Sequence, residues 1–88
     1  MNPVPEKRRE PRKPASGAVR IRFHNPQAQD VDGTLVDVSM GGFRMSHGCG
    51  SLKTGSIVEY WHGSTSGKAR VMWNRVLGAV VESGFLAL

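Results

Sequence analysis

From Ala18 onward the chain alternates. Val19, Ile21 and Phe23 are separated by Arg20 and Arg22, and a period of two marks a strand with one buried and one wet face. Asn25, Pro26 and the polar residues up to Asp30 then read as a turn or short loop. Leu35, with Val36 or Val38, carries a second strand over residues 33–39, and Phe43 and Met45 carry a third over residues 41–47. Lys53, Thr54 and Gly55 form a turn before a fourth strand at 57–62, and residues 63–68 read as a plain hairpin loop. In a fifth strand Val71 and Trp73 alternate with Met72 and Asn74, and residues 77–88 end the chain on a sixth. Phe23, Phe43, Trp73 and Phe85 are the expected core aromatics.

About six strands at roughly 8–14-residue spacing, with no helical period, predict an all-β fold. Such spacing suggests a small antiparallel barrel or a sandwich, and closure into a barrel also removes the exposed edges that a small sheet must otherwise protect. No C-terminal helix is expected. The 88 residues leave room for one small domain. Residues 17–88 form the barrel, and residues 1–16 form an arm in front of it. Four of the five prolines fall in the arm, at 3, 5, 11 and 14, which excludes a helix or a central strand there.

Charge sharpens the division. Residues 1–22 hold seven basic side chains against two acidic ones, and the remainder holds five of each, so the whole net charge of +5 sits at one end. Such asymmetry points to a polyanionic partner: nucleic acid, a membrane surface or a phosphorylated small molecule. On composition alone the arm also reads as a solvated, flexible tail. Cys49 is the single cysteine, so no internal disulfide forms and a reducing, cytoplasmic setting is expected. No apolar run reaches transmembrane length and no leader pattern opens the chain, so membrane insertion is not expected.

Catalytic chemistry finds little support. His24, His47 and His62 are scattered and read as surface or edge-strand residues; His47 and Cys49 form the one close pair, too few for a zinc site. Neither a Cys-His nucleophile with an orienting third group nor a phosphate loop opening a helix is present in the pattern. An enzyme is not expected, and neither a metal nor a cofactor is implied. Two stretches remain. Asp37-Val38-Ser39-Met40-Gly41-Gly42 reads first as a hairpin turn whose glycines supply positive φ. Yet Asp37 and Ser39 are two apart on a strand and leave the same face. A carboxylate there can accept from guanine N1–H and N2–H, a hydroxyl can donate to a phosphate oxygen, and Gly42 would let a ligand approach the backbone. In the arm, Arg8 and Arg12 are four apart in Arg8-Arg9-Glu10-Pro11-Arg12. Guanidinium forks pair bidentately with guanine O6/N7 or with phosphate and stack on purines.

The two stretches together, R-x-x-x-R followed about 25 residues later by D-x-S-x-x-G in an all-β chain, resemble the PilZ domain family. The resemblance runs over about residues 7–86: Val19–Phe23 sits where the family has its first barrel strand, and 69–75 resembles its g-r-V-x-W strand. It implies a small six-stranded antiparallel β-barrel of the split-barrel type that binds the second messenger cyclic di-GMP, with Arg8, Arg12, Asp37, Ser39 and Gly42 as ligand-binding residues and Lys7, Arg9 and Gly41 as additional candidates. Lys7, just before the first arginine, favours a stacked pair of ligand molecules in that family. The arm is expected to be flexible when empty and to fold over the ligand, changing the surface offered to an effector protein. Many members carry a C-terminal helix that this chain lacks, so an exposed apolar patch, covered by a weak homodimer or a partner, is expected; otherwise the chain is a monomer. Two alternatives stand beside this reading. One is a small barrel that binds RNA or single-stranded DNA through its arm, weakened by the shortage of surface aromatics. The other is an adaptor of the same fold that signals without ligand.

Overall fold

The computed structural model describes residues 12–24 and 27–88. Lys7, Arg8 and Arg9, with the rest of residues 1–11, lie outside the described residues, as does the Asn25–Pro26 step. The described chain is all-β. Its strands are β1 (Lys13–Pro14), β2 (Ala18–His24), β3 (Ala28–Ser39), β4 (Gly42–His47), β5 (Ile57–His62), β6 (Thr65–Leu77) and β7 (Val80–Ala87). They run in the order β1-β3-β2-β5-β6-β7-β4, and β4 pairs back onto β3. Every pairing is antiparallel. Strands β2–β7 therefore close into the expected six-stranded barrel rather than a sandwich, with β1 as a short addition to β3. Among the described residues no helix is long and apolar enough to cross a membrane.

The barrel interior follows from the period of two. Val19, Ile21 and Phe23 of β2, Phe43 and Met45 of β4, Val58 and Tyr60 of β5, and Phe85 of β7 all point inward and are buried. Phe43 is the hub, stacked on Phe85 at 4.7 Å between ring centroids and tilted against Tyr60 at 4.8 Å. Leu52, from the segment between β4 and β5, joins this core, and Asn74 Nδ2 donates to its carbonyl oxygen at 2.9 Å. Each such side chain taken fully out of water contributes about 1.5–3 kcal/mol, enough for a small domain to fold around one cluster.

Two strands are longer than the sequence suggests. β3 begins at Ala28, inside the stretch expected to be a loop, and β6 begins at Thr65, inside the expected hairpin loop. Both extensions pair fully, β3 with β2 and β6 with β5. The hairpin between β5 and β6 shrinks to Gly63–Ser64, with Gly63 at φ 57°.

Two bulges correct the expected faces. On β3, Leu35 opposes Met45 but Asp37 opposes Arg44, so Val36 is an extra residue. On β6, Val71 opposes Phe85 but Trp73 opposes Gly84, so Met72 is extra. Each extra residue reverses the side on which the following side chains emerge. Trp73, expected in the core beside Val71, stands instead on the outer surface with 36% of its area exposed.

Candidate functional site

Both bulges serve one patch of the outer barrel wall. Beyond Val36, Asp37 and Ser39 face outward while Val38 opposes the buried Phe43. Beyond Met72, Trp73 faces outward too. The registers then align Asp37, Arg44, Gly84 and Trp73 as one row across β3, β4, β7 and β6. The next row holds Ser39, Gly42, Leu86 and Arg70. A cleft of about 380 Å³ lies over these rows, lined by Arg12, Ser39, Gly41, Gly42, Arg44 and Trp73 among others.

Asp37 is the hub of this patch, and only 6% of it is exposed. Arg44, facing it across the β3–β4 hairpin, donates Nε to Oδ1 at 2.9 Å and to Oδ2 at 2.8 Å, and its Nη2 also donates to Oδ2. Arg12 arrives from the other edge of β3. Lys13 and Pro14 pair with Val38 and Asp37, and Ala15 N–H donates to the Val36 carbonyl at 3.1 Å. That short ladder sets Arg12 Nε 3.0 Å from Asp37 Oδ1. The hydrogen bonds from Arg44 first, and then those from Arg12, hold the Asp37 carboxyl below its usual range, against the burial that pushes it up. A carboxylate has about four acceptor sites, and three arginine N–H groups, two from Arg44 and one from Arg12, are directed at it.

Trp73 and Gly84 fit as a pair. A Cβ at Gly84 would overlap the Trp73 indole, so the ring packs directly against the glycine, in the same row as the Asp37–Arg44 pair. The Arg75 guanidinium is 5.8 Å from the ring centroid, within cation–π reach, and donates to Glu82 at 2.7 Å.

The structure brings together Arg12, Asp37, Ser39, Gly41 and Gly42 from the two sequence motifs. Lys7, Arg8 and Arg9 fall outside the described residues. The glycines act differently from expectation. Neither Gly41 nor Gly42 has a positive φ, and a Cβ on Gly42 would overlap the Phe85 carbonyl oxygen. The smallness of Gly42 lets β4 approach β7, and the barrel's own backbone fills the space that a ligand was expected to use. Arg44 and Trp73 are the residues that the sequence reading missed. Val71, Met72 and Trp73 are three large apolar residues in succession; they cannot all face inward, and that run was the available signal for Trp73. For Arg44 the signal was opposite charge across a tight hairpin from Asp37.

His47 is not a surface residue. It is buried and heads a directed chain of bonds. Cys49 N–H donates to His47 Nδ1 at 3.0 Å, so the neutral ring carries its proton on Nε2 and donates to Ser83 Oγ at 2.7 Å. Ser83 Oγ–H donates to Asn74 Oδ1 at 2.5 Å. Burial pushes the His47 pKa down. The ring addresses the Cys49 backbone rather than its thiol, which lies 3.3 Å from Ser51 Oγ. His62 is half-buried with its ring 5.6 Å from Phe43, while His24 is exposed as expected. No family model matches the chain, and no curated protein matches it.

Proposed function

We propose that the chain is a non-enzymatic receptor for cyclic di-GMP. One observation carries the reading: Arg12 of the arm motif sits on Asp37 of the turn motif, 25 residues away in sequence, at the edge of the cleft shared with Ser39, Arg44 and Trp73. The chemistry of a guanine nucleotide suits that set. Trp73 offers a stacking face, Ser39 a hydroxyl for a phosphate oxygen, and Asp37 acceptors for the guanine N1–H and N2–H edge. Since Arg12 and Arg44 already hold Asp37, binding is an exchange. Arg12 leaves the carboxylate for a phosphate or for guanine O6/N7, and the guanine edge takes the vacated acceptor. Arg44 stays and keeps the carboxylate oriented. Arg8, with Lys7 and Arg9, closes over the ligand from the arm, and Lys7 favours a stacked pair of molecules. Ordering of the arm alters the surface offered to an effector protein, a common form of switching.

A second reading rests on the tryptophans. Trp61 and Trp73 are both surface residues, and each has an arginine near its ring, Arg22 at 5.3 Å and Arg75 at 5.8 Å. Aromatic platforms with cations suit single-stranded nucleic acid. That reading is the weaker one, because Arg22 and Arg75 are already paired with Asp30 and Glu82.

Isothermal titration with cyclic di-GMP, GMP and a short oligonucleotide separates the readings. Saturable binding of cyclic di-GMP alone is expected, with the stoichiometry counting the stacked molecules. Oligonucleotide binding that weakens steeply with salt, without cyclic di-GMP binding, would support the second reading. Silence toward all three would leave an adaptor that signals without ligand.

A further inference from the structure

A different face of the barrel carries a charge pattern that the cleft does not use. Across β3, β2, β5 and β6 the outward positions of one row are Asp30, Arg22, Glu59 and Lys68. Their signs run minus, plus, minus, plus. The adjacent row is Asp32, Arg20, Trp61 and Ser66. Within the chain, Arg22 donates to Asp30 at 2.6 Å and Arg20 to Asp32 at 2.7 Å. Lys68 has no ion pair among the described residues. Trp61 is 38% exposed beside a cleft of about 460 Å³ that Arg20, Arg22, Asp32 and His62 help to line.

We propose that this face binds a second copy of the same chain. The first row is its own complement when read backwards. A copy turned over about an axis parallel to the strands, between β2 and β5, sets Asp30 against the partner's Lys68 and Arg22 against the partner's Glu59. The same rotation sets Arg20 against the partner's Trp61, a cation–π contact, and Asp32 against the partner's Ser66 hydroxyl. Such an isologous contact closes at two copies. A two-fold axis across the strands would instead place like charges together, so the pattern selects one orientation. A polyanion does not suit the face, because Asp30, Asp32 and Glu59 would repel it. The two rows give eight positions a side, against about 20–30 residues in a standard interface, so the dimer is weak, with a dissociation constant between about 1 µM and 1 mM. The inference is independent of the ligand reading.

Sedimentation equilibrium on the full chain tests it. The native protein is expected to self-associate in this range at low salt and to dissociate as salt is raised. Asp30→Lys alone and Lys68→Glu alone each place like charges at both ends of the row and should be monomeric. Mixed together they become fully complementary and should dimerise again. Glu59→Lys and Arg22→Glu form a second such pair at the centre of the row and should behave the same way, which covers failure of either first variant to fold. A native protein that stays monomeric throughout overturns the proposal. So does a dimer that the charge reversals leave intact, since the contact would then lie elsewhere, as on the exposed Val76, Leu77 and Val80.

Discussion

Asp37 accepts hydrogen bonds from two arginines, and the two contribute differently. Arg44 reaches both carboxylate oxygens, whereas Arg12 reaches one and leaves 39% of its side chain in water. Arg12→Ala should therefore change stability by less than about 1 kcal/mol, as for other exposed pairs. Arg44→Ala leaves a nearly buried carboxylate short of donors and should cost about 1–3 kcal/mol. Urea unfolding of both variants checks this, and equal losses would show that the arginines are equivalent. On the receptor reading the order reverses for Arg12: its loss should weaken cyclic di-GMP binding by about 1.5–3 kcal/mol, the scale of hydrogen bonds to charged groups. Arg12→Lys should fail to restore it, because lysine has the charge without the fork. At this scale the sequence was informative about Arg12, Asp37 and Ser39, whose types and spacing form patterns. Arg44 stands in neither motif; only its charge opposite Asp37 across the β3–β4 hairpin points to it, and its role comes from the register of that hairpin.

The elements were legible where burial alternates with exposure and hidden where it does not. β2 and β4 alternate throughout and were read correctly. The first half of β3 and the start of β6 bury almost nothing, so their polar residues resemble loops. The bulges were hidden for a different reason. One added residue leaves no mark in composition, yet it turns every later side chain around. Met72 shows how much depends on that count. Its side chain is half exposed, and Met72→Thr should shift stability by no more than about 0.5 kcal/mol. Deleting Met72 should cost more than about 3 kcal/mol, because Trp73 turns inward and Asn74 leaves Ser83 and the Leu52 carbonyl unsatisfied. Denaturant midpoints for the two variants give the comparison, and a well-folded deletion would mean that β6 has slipped to recover its register.

For the molecule as a whole, charge was legible as a total but not as a layout. Arg20 and Arg22 counted with the arm in the sequence, yet they pair with Asp32 and Asp30 on the barrel wall. Divided at residue 16, the arm holds five basic against two acidic residues, +3, and the barrel seven against five, +2. The buried polar chain through His47 governs the response to acid. Native His47 has a lowered pKa, so below the ordinary histidine value of about 6.5 the unfolded chain takes up a proton that the native ring refuses. Stability should fall from there as pH drops to the native pKa. The lowered pKa of Asp37 adds a second fall, starting below the ordinary aspartate value of about 3.9. Thermal unfolding across pH should show both falls, and His47→Gln should remove the upper one; an unchanged upper fall would assign it to another group. The bulge at Met72 has one more consequence, an optical one. By turning Trp73 outward it leaves each of two separate clefts with one of the chain's two tryptophans, Trp73 in one and Trp61 in the other. Each surface thus carries its own fluorophore. Trp61→Phe leaves emission that reports on the cleft over Asp37 alone, and Trp73→Phe leaves emission that reports only on the charged face, so occupancy of either surface can be followed without a label.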